Sequence, residues 1–148
     1  MYQLVRVQRL RRPRREVFAF FADAANLEAL TPAFLAFHIE SALPIEMRPG
    51  AIIDYRLKLY GVPVRWRTVI ESYEPDERFV DTQARGPYRV WHHEHRFRDT
   101  EDGGTEMTDD VHYDLPLAPL GRIAHPLVRR SLRRVFDHRR AVIEQRFG

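Results

Sequence analysis

Between Phe34 and Leu115 the chain alternates apolar and polar side chains in segments near residues 34–42, 51–60, 63–73, 78–85, 88–98 and 105–115. The breaks are turn residues: Arg48-Pro49-Gly50, Tyr60-Gly61, Glu74-Pro75-Asp76, Gly86-Pro87 and Asp102-Gly103-Gly104. A period of two puts alternate side chains on opposite faces, the pattern of half-buried strands, and so many such segments leave little room for any other fold. The short connections favour antiparallel neighbours, so with a further strand over residues 2–10 the chain predicts a seven-stranded, meander-like sheet that must curve.

Helical spacing flanks the sheet. After Pro13, a residue suited to a first helical turn, Val17, Phe18, Phe21 and Ala22 form an apolar stripe that Asp23-Ala24-Ala25-Asn26 breaks. Asn26 is expected to cap a second short helix through Leu30, which Thr31-Pro32 stops. At the far end Leu127, Val128, Leu132, Val135, Phe136, Val142, Ile143 and Phe147 predict a long amphipathic helix with arginines on its other side. Pro126 is expected to start or kink it, with residues 119–125 as a separate turn. The order β-α-α-β-β-β-β-β-β-α describes one α+β domain of 148 residues whose concave sheet is covered by the last helix.

Composition narrows the chemistry. With no cysteine, disulfides, thiolate metal sites and a cysteine nucleophile are excluded. No apolar run reaches the ~20 residues of a bilayer span, and arginines interrupt the start where a signal peptide would carry its apolar stretch. A cytoplasmic protein is expected. The net charge of +3 is unevenly spread: residues 1–15 carry six Arg and no acid, residues 116–148 carry eight Arg against Asp137 and Glu144, and the middle is acidic. No phosphate loop, dinucleotide fingerprint, nucleophile elbow or nucleic-acid-binding motif is present.

Phe79 anchors the inward face of its strand and takes Asp81 and Gln83 with it. Trp91 and Phe97 bring His93 and His95 inward; Met107, Val111, Tyr113 and Leu115 bring Asp109. Ile53, Tyr55, Leu57 and Leu59, then Val64, Trp66, Thr68 and Ile70, complete an apolar face. Ionised groups among such residues must pair or stand in a wet space. Turn geometry places His95 opposite Asp109 and Asp81 opposite His93, predicting two cross-strand Asp/His pairs. Three uses are open: a polar network orienting a ligand, acid and base groups of an enzyme with His95, Asp109, His93 and Asp81 as candidates and Tyr55 or Tyr113 as oxyanion donor, or ligands to zinc or iron. The first is preferred, with no metal and no cofactor expected. The basic last helix offers a further option, weak contact with an anionic membrane or an acidic protein, and no nucleic acid is expected.

Several motifs resemble a known family: Pro13 with Val17-Phe18-x-x-Phe21, Asn26-Leu27-x-x-Leu30-Thr31-Pro32, Pro44-Ile45-x-Met47-x-x-Gly50, Trp66-x-x-x-Ile70-x-x-Tyr73-x-Pro75, Phe79-x-Asp81-x-Gln83-x-x-Gly86-Pro87-Tyr88 and Trp91-x-His93-x-His95-x-Phe97. Together they resemble the SRPBCC superfamily, also called START-like or helix-grip proteins, in its bacterial branch of polyketide cyclase/dehydrase and lipid-transport proteins. The resemblance implies a single ligand-binding domain over residues 1–148, its sheet gripping the C-terminal helix around a cavity for a small hydrophobic molecule such as a lipid, polyketide or quinone. Some members cyclise or dehydrate polyketides, so that activity is the enzymatic alternative. Under the binding reading Tyr55, Leu57, Trp66, Thr68, Phe79, Trp91, Val111 and Tyr113 are expected as walls, with Asp81, Gln83, His93, His95 and Asp109 orienting the ligand's polar end.

Overall fold

A computed structural model describes residues 1–148. Seven strands run β1 (Tyr2–Leu10), β2 (His38–Ile39), β3 (Ile52–Leu59), β4 (Val62–Glu74), β5 (Arg78–Arg85), β6 (Val90–Asp99) and β7 (Thr105–Asp114). Helices α1 (Arg14–Phe21) and α2 (Leu27–Leu30) follow β1, and α3 (Leu120–Phe147) closes the chain. The sheet is antiparallel throughout in the order β1-β7-β6-β5-β4-β3-β2. Breaks in register between Arg67 and Thr68 and between Ile70 and Ser72 lie in β4, the longest strand, and irregularities of this kind bend a strand and increase its twist.

One face carries the core. Phe18 meets Phe97 and Phe79 edge to face, with ring centres 5.1 and 5.9 Å away, and Phe20 packs the same way on Phe147 at 5.4 Å. Each buried phenylalanine contributes on the order of 2–3 kcal/mol, so the stripe of α1 clamps the sheet to the end of α3. The Phe147 carbonyl also accepts a hydrogen bond from the Arg11 backbone N–H. A second cluster joins Val111, Tyr113 and Leu115 of the sheet side to Leu132 and Phe136 of α3.

Three local expectations are corrected. Residues 34–42 do not form one strand: Ala33–Leu35 is a 3-10 turn, Ala36 adopts a left-handed φ of 45°, and only His38 and Ile39 reach β3, opposite Arg56 and Tyr55. Asn26 does not cap α2 with its side chain, because its amide donates to the Phe20 carbonyl at 2.9 Å; the side-chain cap in this region is Asp23, accepting from the Ala25 N–H at 3.0 Å. Nor does Pro126 start α3, which runs unbroken from Leu120. Proline there removes only the bond to the Arg122 carbonyl, and both residues are exposed, so water can take its place.

Candidate functional site

The inward faces of β5, β6 and β7 converge on one polar cluster. The backbone registers are those expected, Asp81 opposite His93 and His95 opposite Asp109. The side chains nevertheless pair diagonally: His95 Nε2 lies 2.6 Å from Asp81 Oδ2, and His93 Nε2 lies 2.8 Å from Asp109 Oδ1. The directly opposite partners stand farther off, 3.8 Å for His93 Nδ1 to Asp81 and 3.4 Å for His95 Nδ1 to Asp109. The reason is stacking. The imidazoles lie face to face with centres 3.6 Å apart, and Phe79 covers the outer face of His95 at 4.1 Å. Each carboxylate thus spans one edge of the stack and reaches both rings.

The fifth member comes from α3. Arg139 Nη2 donates to Asp109 Oδ1 at 3.1 Å and stands 3.3 Å from His95 Nδ1, so both groups converge on the same carboxylate oxygen. The Arg139 guanidinium also lies 4.8 Å from the centre of the Phe21 ring. Reading the helix arginines as a solvated face missed this residue. Its signal was its spacing, since Leu132, Phe136, Arg139 and Ile143 follow one another at four, three and four residues and all are buried.

Charges of opposite sign meet within the cluster. Burial works against both aspartates, yet the pKa of Asp109 is driven well below the carboxylate range by Arg139 and the two histidines. His93, His95 and Arg139 likewise lower Asp81. Burial also opposes imidazolium formation at His95, but Asp109 and Asp81 on its two edges outweigh it and raise its pKa; for His93, burial and the neighbouring His95 prevail and lower it. Asp81 and Asp109 are therefore held as anions beside the Arg139 guanidinium, and of the two imidazoles His95 is the one that keeps a proton more readily. Asp81, His93 and His95 also offer ligand atoms within 4.8 Å of one another, a donor set suited to zinc or iron. The fit is poor, because the stacked rings lie nearly parallel rather than aiming at a common centre and the positive charge is already supplied.

Beside the cluster is a cavity of about 70 Å³, lined by Tyr55, Thr68, Phe79, Asp81, His95 and Arg139 from the predicted face and α3. Phe21, Ala24, Leu27 and Met47 close it from the helices and the β2–β3 connection. No periodicity marks Met47, which lies in a loop. The remaining predicted wall residues do not line this cavity. Trp66 and Trp91 meet edge to face at 5.4 Å, and Tyr88 joins both at 5.5 and 4.9 Å, forming an aromatic layer continued by Tyr55 and Tyr113. Leu57 packs with Trp66, and Val111 packs with Leu132 and Phe136. Gln83 bonds to the backbone of Tyr88, donating to its carbonyl at 2.7 Å and accepting its N–H at 3.0 Å, so it ties the β5–β6 turn. On another side of the molecule a separate apolar pocket of about 270 Å³ lies among the β3–β4 hairpin, the β5–β6 turn and the start of α3.

A curved seven-stranded sheet closed by two short helices and a long C-terminal one is the helix-grip fold. Solved structures share it. TTHA0849 from Thermus thermophilus superposes with a TM-score of 0.77 at 14% identity, covering 98% of this chain and 96% of that one. The Zhui aromatase/cyclase from Streptomyces sp. R1128 gives 0.76 at 12% identity over 96% and 90%, and Ara h 8.0201 gives 0.63 at 15% over 96% and 97%. No curated protein matches by sequence. By its sequence the chain belongs to the family described as Domain of unknown function (DUF8410), whose model matches residues 38–147.

Proposed function

We propose that the protein binds a small, largely apolar molecule bearing a hydrogen-bond acceptor, such as a carbonyl or carboxylate, in the cavity beside Asp81, His95 and Arg139. The observation that carries this reading is an orphan donor: the Arg139 Nε–H is buried and has no hydrogen-bond partner, although the residue lines the cavity. Leaving such a donor unpaired costs on the order of 1–3 kcal/mol, which an incoming acceptor would recover. The rest of the lining is mainly aliphatic and aromatic, as a ligand site of this kind requires. A volume of about 70 Å³ holds roughly two waters, so a short ligand fits as the cavity stands, and a lipid- or polyketide-sized one requires lining side chains such as Phe21, Leu27 and Met47 to move apart.

Binding is favoured over proton transfer by the engagement of His95. Asp81 and Asp109 face its two ring nitrogens, leaving no free position to exchange a proton with a substrate. The test is an NMR titration with short-chain carboxylates against the alcohols of the same length, reading the Arg139 Nε–H resonance. Carboxylates should shift it and lose about tenfold in affinity on Arg139→Lys. A resonance that no carboxylate or ketone moves would refute the reading.

A further inference from the structure

The start of α3 is apolar on two sides. Gly121, Val128 and Leu132 face the protein, yet Leu120, Ile123 and Leu127, spaced three and four residues apart, turn outward. With Leu117 just before the helix, these side chains are between 55% and 76% exposed. Tyr60 and Val62, at the tip of the β3–β4 hairpin, are equally bare, and the Tyr60 hydroxyl reaches the Leu127 carbonyl at 3.4 Å. The hairpin and the start of α3 therefore form one continuous exposed apolar patch around the mouth of the 270 Å³ pocket. Patches of this kind on a folded protein mark a surface that something covers.

The rim identifies the occupant. No acid occurs between residues 115 and 136, while Arg122, Arg129, Arg130, Arg133 and Arg134 are exposed along the same helix. The ion pairs of α3 are Asp137 with Arg6 and Arg139 with Asp109, so none of these five has one. On the hairpin side Arg56, Lys58 and Arg65 are exposed as well. A second copy of this chain would bring two such rims together at a cost in repulsion. An acidic protein would answer the arginines but not the bare aliphatic residues at the centre. We infer that this face docks on an anionic lipid bilayer, with Leu117, Leu120, Ile123 and Leu127 entering the interface and the surrounding arginines meeting the lipid headgroups. Docked in this way, the pocket opens against the acyl chains. The inference does not depend on the acceptor site beside Arg139, which lies in the interior.

Co-sedimentation with vesicles tests it, using phosphatidylcholine alone and phosphatidylcholine mixed with phosphatidylglycerol, at low and high salt. The protein should bind the mixed vesicles, weaken in high salt, and lose about fivefold in affinity for each of Arg129→Gln and Arg133→Gln. Leu117→Asp with Ile123→Asp should cost at least about tenfold, with an unchanged far-UV circular dichroism spectrum showing that the fold persists; because both residues are exposed, the substitutions spare the core. No binding to the mixed vesicles at low salt overturns the proposal. So does binding that ignores the two aspartates, which would leave a purely ionic surface for an acidic partner, and so does a wild-type dimer in sedimentation velocity that the same substitutions dissolve.

Discussion

Arg139→Met removes the only full-time cation of the buried cluster and leaves Asp109, 3% exposed, facing two histidines of which one is neutral. Breaking a buried ion pair from one side typically costs about 3–5 kcal/mol, because the remaining charge has lost its compensation. For a chain of this length each kcal/mol lowers Tm by roughly 2–4 °C, so a fall of about 6–20 °C is expected at neutral pH. The loss should shrink in acid, where Asp109 can take a proton. It should also be partly suppressed by Asp109→Asn, whose amide oxygen still accepts from His93 without carrying a charge. Urea unfolding of the wild type, the two single variants and the double variant closes the cycle, and a coupling of about 1–3 kcal/mol is expected for groups in one network. Strict additivity, or a loss below about 1 kcal/mol for Arg139→Met alone, would show that the guanidinium does not hold the carboxylate, and the charge assignment of the cluster would fail with it.

Acid should weaken the fold through the same groups. Asp81 and Asp109 both titrate below the ordinary carboxylate value of 3.8 when folded, so their contribution is complete above that value and is lost as pH falls below it and through the lower folded pKa values. Unfolding free energy measured between neutrality and pH ~3 should therefore fall less steeply for Asp109→Asn than for the wild type, and equal slopes would contradict the assignment. At the root of α3, Gly121→Ala would put a Cβ 2.6 Å from the Pro116 carbonyl oxygen and 3.0 Å from the Leu115 side chain. Neither the backbone oxygen nor the buried leucine yields easily, so a loss of about 1–3 kcal/mol is expected by thermal denaturation, and an unchanged Tm would mean that the helix start moves freely.

Legibility followed periodicity. Strands β3 to β7 alternate over long runs, interrupted by the register breaks of β4 and by the buried pair Phe79-Val80, and the inward residues Ile53, Trp66, Ile70, Phe79, His93, His95, Phe97, Met107 and Asp109 are buried as that alternation required. Tight turns carried the registers as well, because a short connection leaves few ways to align two strands. The stretch at 34–42 misled for the opposite reason. Its alternation is brief, and the left-handed turn at Ala36 ends it.

The sequence alone determined that this chain makes a curved antiparallel sheet with a helix across it and that two histidines and two aspartates share the covered face, because side-chain direction in a strand depends only on parity. Which histidine holds which aspartate, that Arg139 completes the set, and that Phe21, Leu27 and Met47 close a cavity of only about 70 Å³ beside it were decided by packing. Diagonal reach, ring stacking and the rotation of a helix against a sheet depend on how residues distant along the chain fill the same volume, and no local pattern carries that information.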